Sequence, residues 1–350
     1  ETASSAVPSA PSELIVETFK PGEFEAERHF YPRTLNAQLH PLVAAFYRMP
    51  LERIVRRYCH LNPQVDIEVL NALLKTQPRF LRWSGSDVLN VSTENGVRLK
   101  LVLETNSCPS GQKSFPLIDD QEEEGGYQRL ITKTFLPLVA KELKKAGPDQ
   151  VVAVLYDKNY MEATGYAQAL ATATKREVVL VPCPRENPEK FLEVRDRYLF
   201  AKLEGEVRQI VCAFRYVTQR PWTRLPFDLK TPLLNPIVAC LAGGRNKTVA
   251  AKAYEAFNAN HRESGLEIRT PESFTNVRKA EVPFLLERLG GKAVVKVPYL
   301  NAGQGIYTIV NERELQAFME TEHDYNSFIV QQLVGNVHWS STSSRGKVFN

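Results

Sequence analysis

Apolar positions change period several times along the chain, and those changes divide it into regions. Over residues 34–58 and 66–75 they recur at helical spacing, which predicts helices with Leu35, Leu39, Val43, Phe46, Leu51 and Ile54 facing a core. Between Tyr127 and Tyr216 helical and strand-like segments alternate. Residues 130–146, 160–174 and 189–198 read as helices, and 151–156, 178–181 and 210–214 as short, continuously apolar strands. Buried strands separated by helices predict a parallel, Rossmann-like βαβ region. Residues 246–258, 280–289 and 312–320 are again helical in period, the second stopped by Gly290-Gly291. Residues 293–298, 306–310 and 327–332 are strands, and a Ser-rich tail ends in the strand-like Lys347-Val348-Phe349. The fold class is α/β, with an α+β C-terminal part.

Two local patterns carry chemistry. Asn95-Gly96 lies between strand-like runs 86–93 and 97–106, and Asn-Gly is the preferred centre of a two-residue type I′ turn. With that loop Glu94 pairs with Val97 and Ser92 with Leu99; counting back, Asp87 faces Glu104 and Gly85 faces Asn106. Directly opposed residues share a face, and Asn106, two beyond Glu104, points the same way. Leu89, Leu99, Leu101, Val102 and Leu103 are apolar on both faces, which predicts a buried strand pair. Facing acids in such a pair need a compensating charge. Oxygen ligands from Asp, Glu and Asn suit magnesium; the competing reading is an exposed hairpin with solvated acids.

The second pattern is a lysine inside an apolar strand, Ala293-Val294-Val295-Lys296-Val297-Pro298, followed by Tyr299-Leu300-Asn301-Ala302-Gly303-Gln304-Gly305. Glycines let backbone N–H groups approach phosphate closely, and a strand lysine asks for an anion. A snorkelling lysine beside an ordinary turn fits the same residues equally well. Gly244-Arg245-Asn246-Lys247-Thr248 lacks the glycine before lysine of a Walker A loop, and no third glycine completes a dinucleotide fingerprint. Lys247 opens a predicted helix, a place suited to anions, or is a plain surface lysine. Arg215, at a strand's carboxyl end, reads as a clamp for a substrate carboxylate or as a structural ion pair, with Arg220-Pro221-Trp222 nearby. The acidic segment 118–126 reads as a solvated loop before it reads as a lid attracting a cationic amine.

Taken in order, Glu104-Thr105-Asn106, the βαβ region, Asn246-Lys247, Val295-Lys296 with its glycine loop, and Phe328-Ile329-Val330-Gln331-Gln332 resemble the circularly permuted ATP-grasp ligases, of which glutathionylspermidine synthase is the best-known member. The resemblance spans roughly residues 82–334. It implies an ATP-grasp-like nucleotide fold with a Rossmann-like domain and a helical N-terminal cap. It also implies an ADP-forming carboxylate–amine ligase using ATP and Mg2+. Carried over by position, Asp87, Glu104 and Asn106 are metal ligands, and Lys247 and Lys296 are phosphate lysines. Gly303, Gln304 and Gly305 form the phosphate lid, Asn301 is a further ATP-binding residue, and Gln331, Gln332, Leu333 and Val334 form the adenine hinge. The family's arginine two residues before the metal aspartate is here Gly85, which leaves Arg82 as the nearest substitute. The segment after Asn106, Ser107-Cys108-Pro109-Ser110-Gly111, also departs from the family. The implied partners are a small carboxylate and an amine of the amino acid, peptide or polyamine class. An ATP-grasp small-molecule kinase, a non-catalytic nucleotide-binding protein and a βαβ small-molecule binder remain as rivals.

This reading divides the chain into a flexible tail (1–13), a helical cap (14–80), a metal hairpin with acidic loop (81–126), a Rossmann-like domain (127–240) and an ATP-binding part (241–350). Composition changes little. A net charge of +4 from 44 basic and 40 acidic residues is too mild, and too scattered, to suggest nucleic acid. No apolar run reaches the roughly 18 residues of a membrane span. Five cysteines without a CxxC predict reduced thiols and a cytoplasmic setting, with Cys108 a small buried side chain. The six histidines show no zinc spacing. A first residue Glu1 in place of Met suggests a processed or trimmed start.

Overall fold

The computed structural model describes residues 14–23, 40–78, 81–92, 97–107, 126–217, 224–300, 304–335, 339–340 and 348–349. The chain divides into two compact units, one from Glu1–Ile54, Gln77–Trp83 and Cys108–Ala239, the other from Val55–Thr76, Ser84–Ser107 and Cys240–Asn350. No helix of the described residues is long and apolar enough to cross a membrane.

The strands of the first unit, numbered along the chain, are β1 (Glu17–Phe19), β4 (Val151–Tyr156), β5 (Val178–Pro182), β6 (Leu192–Arg195), β7 (Tyr198–Leu203), β8 (Glu206–Tyr216) and β9 (Leu233–Leu234). They form a seven-stranded sheet in the order β1-β5-β4-β8-β7-β6, with β9 also against β8. β4 and β5 are buried at every position, as strands covered on both faces must be, and β4 runs parallel to β5 and β8. The helix Tyr160–Thr174 connects β4 to β5 and is buried from Met161 to Ala171. Its Ala, Gly and Thr residues leave it little polar surface to turn to water. Val151, Ala153 and Leu155 join Val179, Val181 and Ala213 on one side of the sheet. Alternation sends Phe214 and Tyr216 to the other side. There their rings, with those of Trp83 and Tyr127, surround Tyr166 at centroid distances of 4.6, 5.3, 5.5 and 4.9 Å.

Two expectations are corrected, one in this sheet and one in the N-terminal helices. Residues 189–198 are not a helix but a short 3₁₀ turn, Pro188–Lys190, followed by the hairpin β6–β7. Asp196 and Arg197 take left-handed φ of 50° and 72°, the backbone of a two-residue hairpin turn. β6 and β7 extend β8 antiparallel and β1 runs antiparallel to β5, so the sheet is mixed, with a parallel centre. The helix expected over 34–58 is, where described, two helices, Pro41–Tyr47 and Leu51–Leu61. Pro50 lacks the N–H that a continuous helix needs there. Val43, Phe46 and Leu51 are exposed rather than core, and Ile54 is half-buried. Val55 is the buried residue, packed with Val65, Leu70 and Leu266. Leu35 and Leu39 lie outside the described residues.

The second unit contains β2 (Ser84–Ser92), β3 (Arg98–Ser107), β10 (Ser273–Val277), β11 (Ala293–Lys296), β12 (Ile306–Ile309) and β13 (Phe328–Gln332). Its main sheet has the order β10-β13-β11-β12 and is antiparallel throughout. Ala293, Val295, Phe328 and Val330 pack with Val282 and Leu286 of one helix and Leu315 and Phe318 of another. Alternation therefore turns Val294, Lys296, Ile329 and Gln331 to the opposite face. Register places Lys296 beside Ile329 and Val294 beside Gln331.

β2 and β3 pair with each other as a two-stranded ribbon. Asp87 faces Glu104 and Gly85 faces Asn106, as the turn arithmetic predicts. Beyond Asp87 the arithmetic fails: Val88 pairs with Val102 and Ser92 with Arg98 instead of Leu99. Leu103 is the extra residue of a β-bulge, and the Val102 N–H donates instead to the Arg269 carbonyl at 2.8 Å. Asn95 and Gly96 lie outside the described residues. Nor is the strand pair buried: Asp87 and Val88 are exposed and Glu104 is half-buried.

Candidate functional site

The chemistry of the second unit converges where β3, β11 and the helix Lys247–Asn260 meet. Asn246 caps that helix, its side-chain oxygen accepting from the N–H groups of Thr248 and Val249 at 3.1 and 3.3 Å. Lys247 is consequently the first helical residue, where a cation opposes the helix dipole. Its ammonium is held by the Glu104 carboxylate at 3.3 Å and donates to the Leu300 carbonyl at 2.6 Å. Its backbone N–H donates to the Pro298 carbonyl at 2.9 Å.

Lys296 lies on β11 with 8% of its surface exposed, and its ammonium forms no ion pair or hydrogen bond among the described residues. Burial pulls its ammonium below the usual lysine range; Glu104 and, more weakly, Asp87 oppose that pull, while Lys247 adds to it. Across the ribbon, desolvation and the Glu104 charge hold the Asp87 carboxyl above the usual carboxylate range. Asn106 donates its amide to Asp87 Oδ1 at 3.2 Å. Two opposed carboxylates beside a carboxamide make a hard oxygen donor set suited to magnesium.

A cavity of about 150 Å³ adjoins these groups, lined by Glu104, Thr105, Lys247, Tyr254, Lys296 and Gln331 among others. Gln331 is buried, and its carboxamide donates to Ser273 Oγ at 2.9 Å. One helix face supplies Lys247, Ala250, Ala251, Tyr254 and Asn258 to the lining, the three- and four-residue steps of a single stripe. Tyr254, Thr105, Asn258 and Ser273 were not among the sequence candidates; the spacing of Tyr254 from Lys247 was the available signal.

The remaining candidates distribute unevenly. Gly305 closes the β11–β12 turn at φ +65°, its carbonyl accepting from the Val297 N–H at 2.8 Å. Gln304 is exposed. Gln332 is exposed, and its N–H donates to the Glu272 carbonyl at 2.8 Å; Leu333 and Val334 are half-buried. None of Gln332, Leu333 and Val334 lines the cavity. Arg82 and Arg215 belong to the first unit. The Arg82 N–H donates to Asn235 Oδ1 at 3.4 Å, and Arg215 is 2% exposed at the end of β8. Asn301, Gly303, Cys108, Arg220-Pro221-Trp222 and nearly all of the acidic loop lie outside the described residues.

No protein-family model matches the chain, and no curated protein matches its sequence. Among solved structures 27 chains match. They include a RimK domain ATP-grasp protein from Sphaerobacter thermophilus, 17% identical over 53% of this chain and 64% of that one, TM-score 0.35. D-alanyl-alanine synthetase A from Vibrio cholerae is 13% identical over 58% of this chain and 66% of its own, TM-score 0.41. A glutathione synthetase-like effector from Globodera pallida is 9% identical over 83% of this chain and 69% of its own, TM-score 0.46. The match thus spans less than two thirds of the first two proteins' length. The neighbours include a protein of the fold family that the motif order resembles, but likeness this loose carries no argument about chemistry.

Proposed function

We propose that the second unit binds ATP with magnesium and that the chain is an ADP-forming carboxylate–amine ligase. The observation that carries this reading is that Glu104, Lys247 and Lys296 line one cavity, with Asp87 opposite Glu104 on the ribbon and hydrogen-bonded to Asn106. A cation at a helix start and a buried lysine both cost stability, and polyphosphate would satisfy both at once. Asp87, Glu104 and Asn106 would hold magnesium, which when bound supplies positive charge to neutralise phosphate oxygens during transfer. Lys247 and Lys296 bind and orient the phosphates; the buried stem of Lys296 fixes its direction. Gln331 and the Tyr254 face of the helix line the remainder of the nucleotide's enclosure.

The reaction is transfer of the γ-phosphoryl group to a substrate carboxylate, then attack of an amine on the acyl phosphate, giving an amide, ADP and phosphate. Gly85, where the resembling ligases carry arginine, favours a second reading: a nucleotide-binding protein without turnover. The test is ADP release by the full chain with Mg-ATP, screened over amino acids, peptides and polyamines. Stimulated ADP release with amide product, lost in Glu104→Ala, supports the ligase. Phosphorylated product without amide indicates a kinase. No release by any mixture, with a thermal shift on Mg-ATP, indicates the binding protein.

A further inference from the structure

The two-stranded ribbon β2–β3 should be poor at holding anything in place. A lone hairpin is marginally stable in water, like charges directly opposed weaken it further, and Leu103 interrupts its ladder with a bulge. Yet Glu104, Thr105 and Ser107 are each tied to the segment just before and within the helix Lys247–Asn260. Thr105 Oγ1 shares a short hydrogen bond with the Tyr254 hydroxyl. The Thr105 carbonyl lies against Gly244, at φ +121°, where an added Cβ would sit 1.7 Å from that oxygen. The Arg245 guanidinium donates to the Ser107 carbonyl at 2.7 Å, and Ser107 Oγ donates to the Cys240 carbonyl at 3.3 Å. Leu241–Arg245 is a π-helical turn, the widened form that recurs at functional sites. It delivers Gly244 and Arg245 to successive points on β3.

Thr105 lies between Glu104 and Asn106, so its side chain leaves the opposite face of the strand. Pinning that side chain fixes the direction in which both neighbours point. We infer that Tyr254 and Arg245 are positioning residues for the acidic ligand set: acting through Thr105 and Ser107, they keep Glu104 and Asn106 turned together toward Asp87. The inference rests on the nucleotide–magnesium reading above. Neither residue enters the chemistry itself.

Mn2+ provides a direct probe, read as free-ion electron paramagnetic resonance during titration of the full chain with ADP present. Tyr254→Phe keeps the ring and removes the hydroxyl; Thr105→Val removes its partner. Each weakens Mn2+ binding about five- to tenfold, where tenfold is about 1.4 kcal/mol. The double variant loses no more than either single one, because both break the same link. Thr105→Ser, which keeps the hydroxyl, retains the wild-type constant. A merely structural role would lower the melting temperature in chelator and leave the Mn2+ constant untouched. Equal Mn2+ affinity in wild type, Tyr254→Phe and Thr105→Val, or additive losses in the double variant, overturns the inference and leaves the nucleotide reading standing. A wild-type chain that binds no Mn2+ with ADP overturns both.

Discussion

Replacing Lys296 by methionine separates a lysine kept for its ligand from one kept for the fold. The side chain is 8% exposed, its carbon stem sits on a sheet face beside Ile329, and its ammonium is depressed by burial. Methionine fills a similar volume and needs no counter-charge. Exchanging buried ionic groups for apolar ones of similar size is often neutral or stabilising by about 1–4 kcal/mol. Glu104 already offsets part of the cost here, so the low end applies, about 1 kcal/mol. That raises the melting temperature by about 2–4 °C for a unit of this size.

The gain depends on pH with a definite sign. A lysine whose folded pKa is lowered is fully costly below that pKa, and the cost is relieved as pH rises toward the usual lysine range. The advantage of Lys296→Met is therefore largest near neutrality and shrinks in alkali. Nucleotide binding moves the other way. Loss of one charge-assisted contact costs about 1.5–3 kcal/mol, roughly ten- to a hundredfold in affinity. Scanning fluorimetry with and without Mg-ATP reads both effects in one plate. A variant that melts several degrees lower and still gains the wild-type thermal shift from Mg-ATP would refute the reasoning, because Lys296 would then serve packing alone.

Two further outcomes test other parts of the structure. Asp87→Asn stabilises the chain at neutral pH and loses that advantage as pH falls through the raised Asp87 value toward the ordinary aspartate range. A carboxyl held high in the fold is a burden only while it is ionised, so melting curves at neutral and acid pH decide the matter. Gly305→Ala must hold φ +65° with a Cβ 2.6 Å from Leu300 Cδ1 and 2.9 Å from Val297. It costs about 1–3 kcal/mol, read by thermal melting, and an unchanged melting point would show the β11–β12 turn to be slack.

The facing acids were legible because strand pairing is a counting problem, yet the count was right for an incomplete reason. The two-residue loop gives the wrong partners from Val88 to Ser92, and the Leu103 bulge restores the offset just before Asp87. No local signal in Leu101-Val102-Leu103 announces that bulge; the Arg269 carbonyl that takes the Val102 N–H lies far along the chain. Lys296 was legible as a charge in an apolar strand, and its face follows from alternation with Val295. The hairpin β6–β7 was misread because Leu192, Leu199 and their neighbours suit either period over so short a stretch. Only the left-handed pair Asp196-Arg197 decides it. Val43 and Phe46 keep helical spacing while facing solvent, so periodicity marked a stripe without saying what covers it. Tyr254 belongs to no motif, and only its helical spacing from Lys247 marks it.

The bulge at Leu103 has a consequence for how this hairpin tolerates change. A ladder in strict step transmits any alteration at its tip to its foot, turning side chains over as it goes. Here the step is broken midway, and the foot is anchored to distant segments of the chain. The acids below the break therefore take their aim from those anchors rather than from the pairing of Val88–Ser92 with Arg98–Val102.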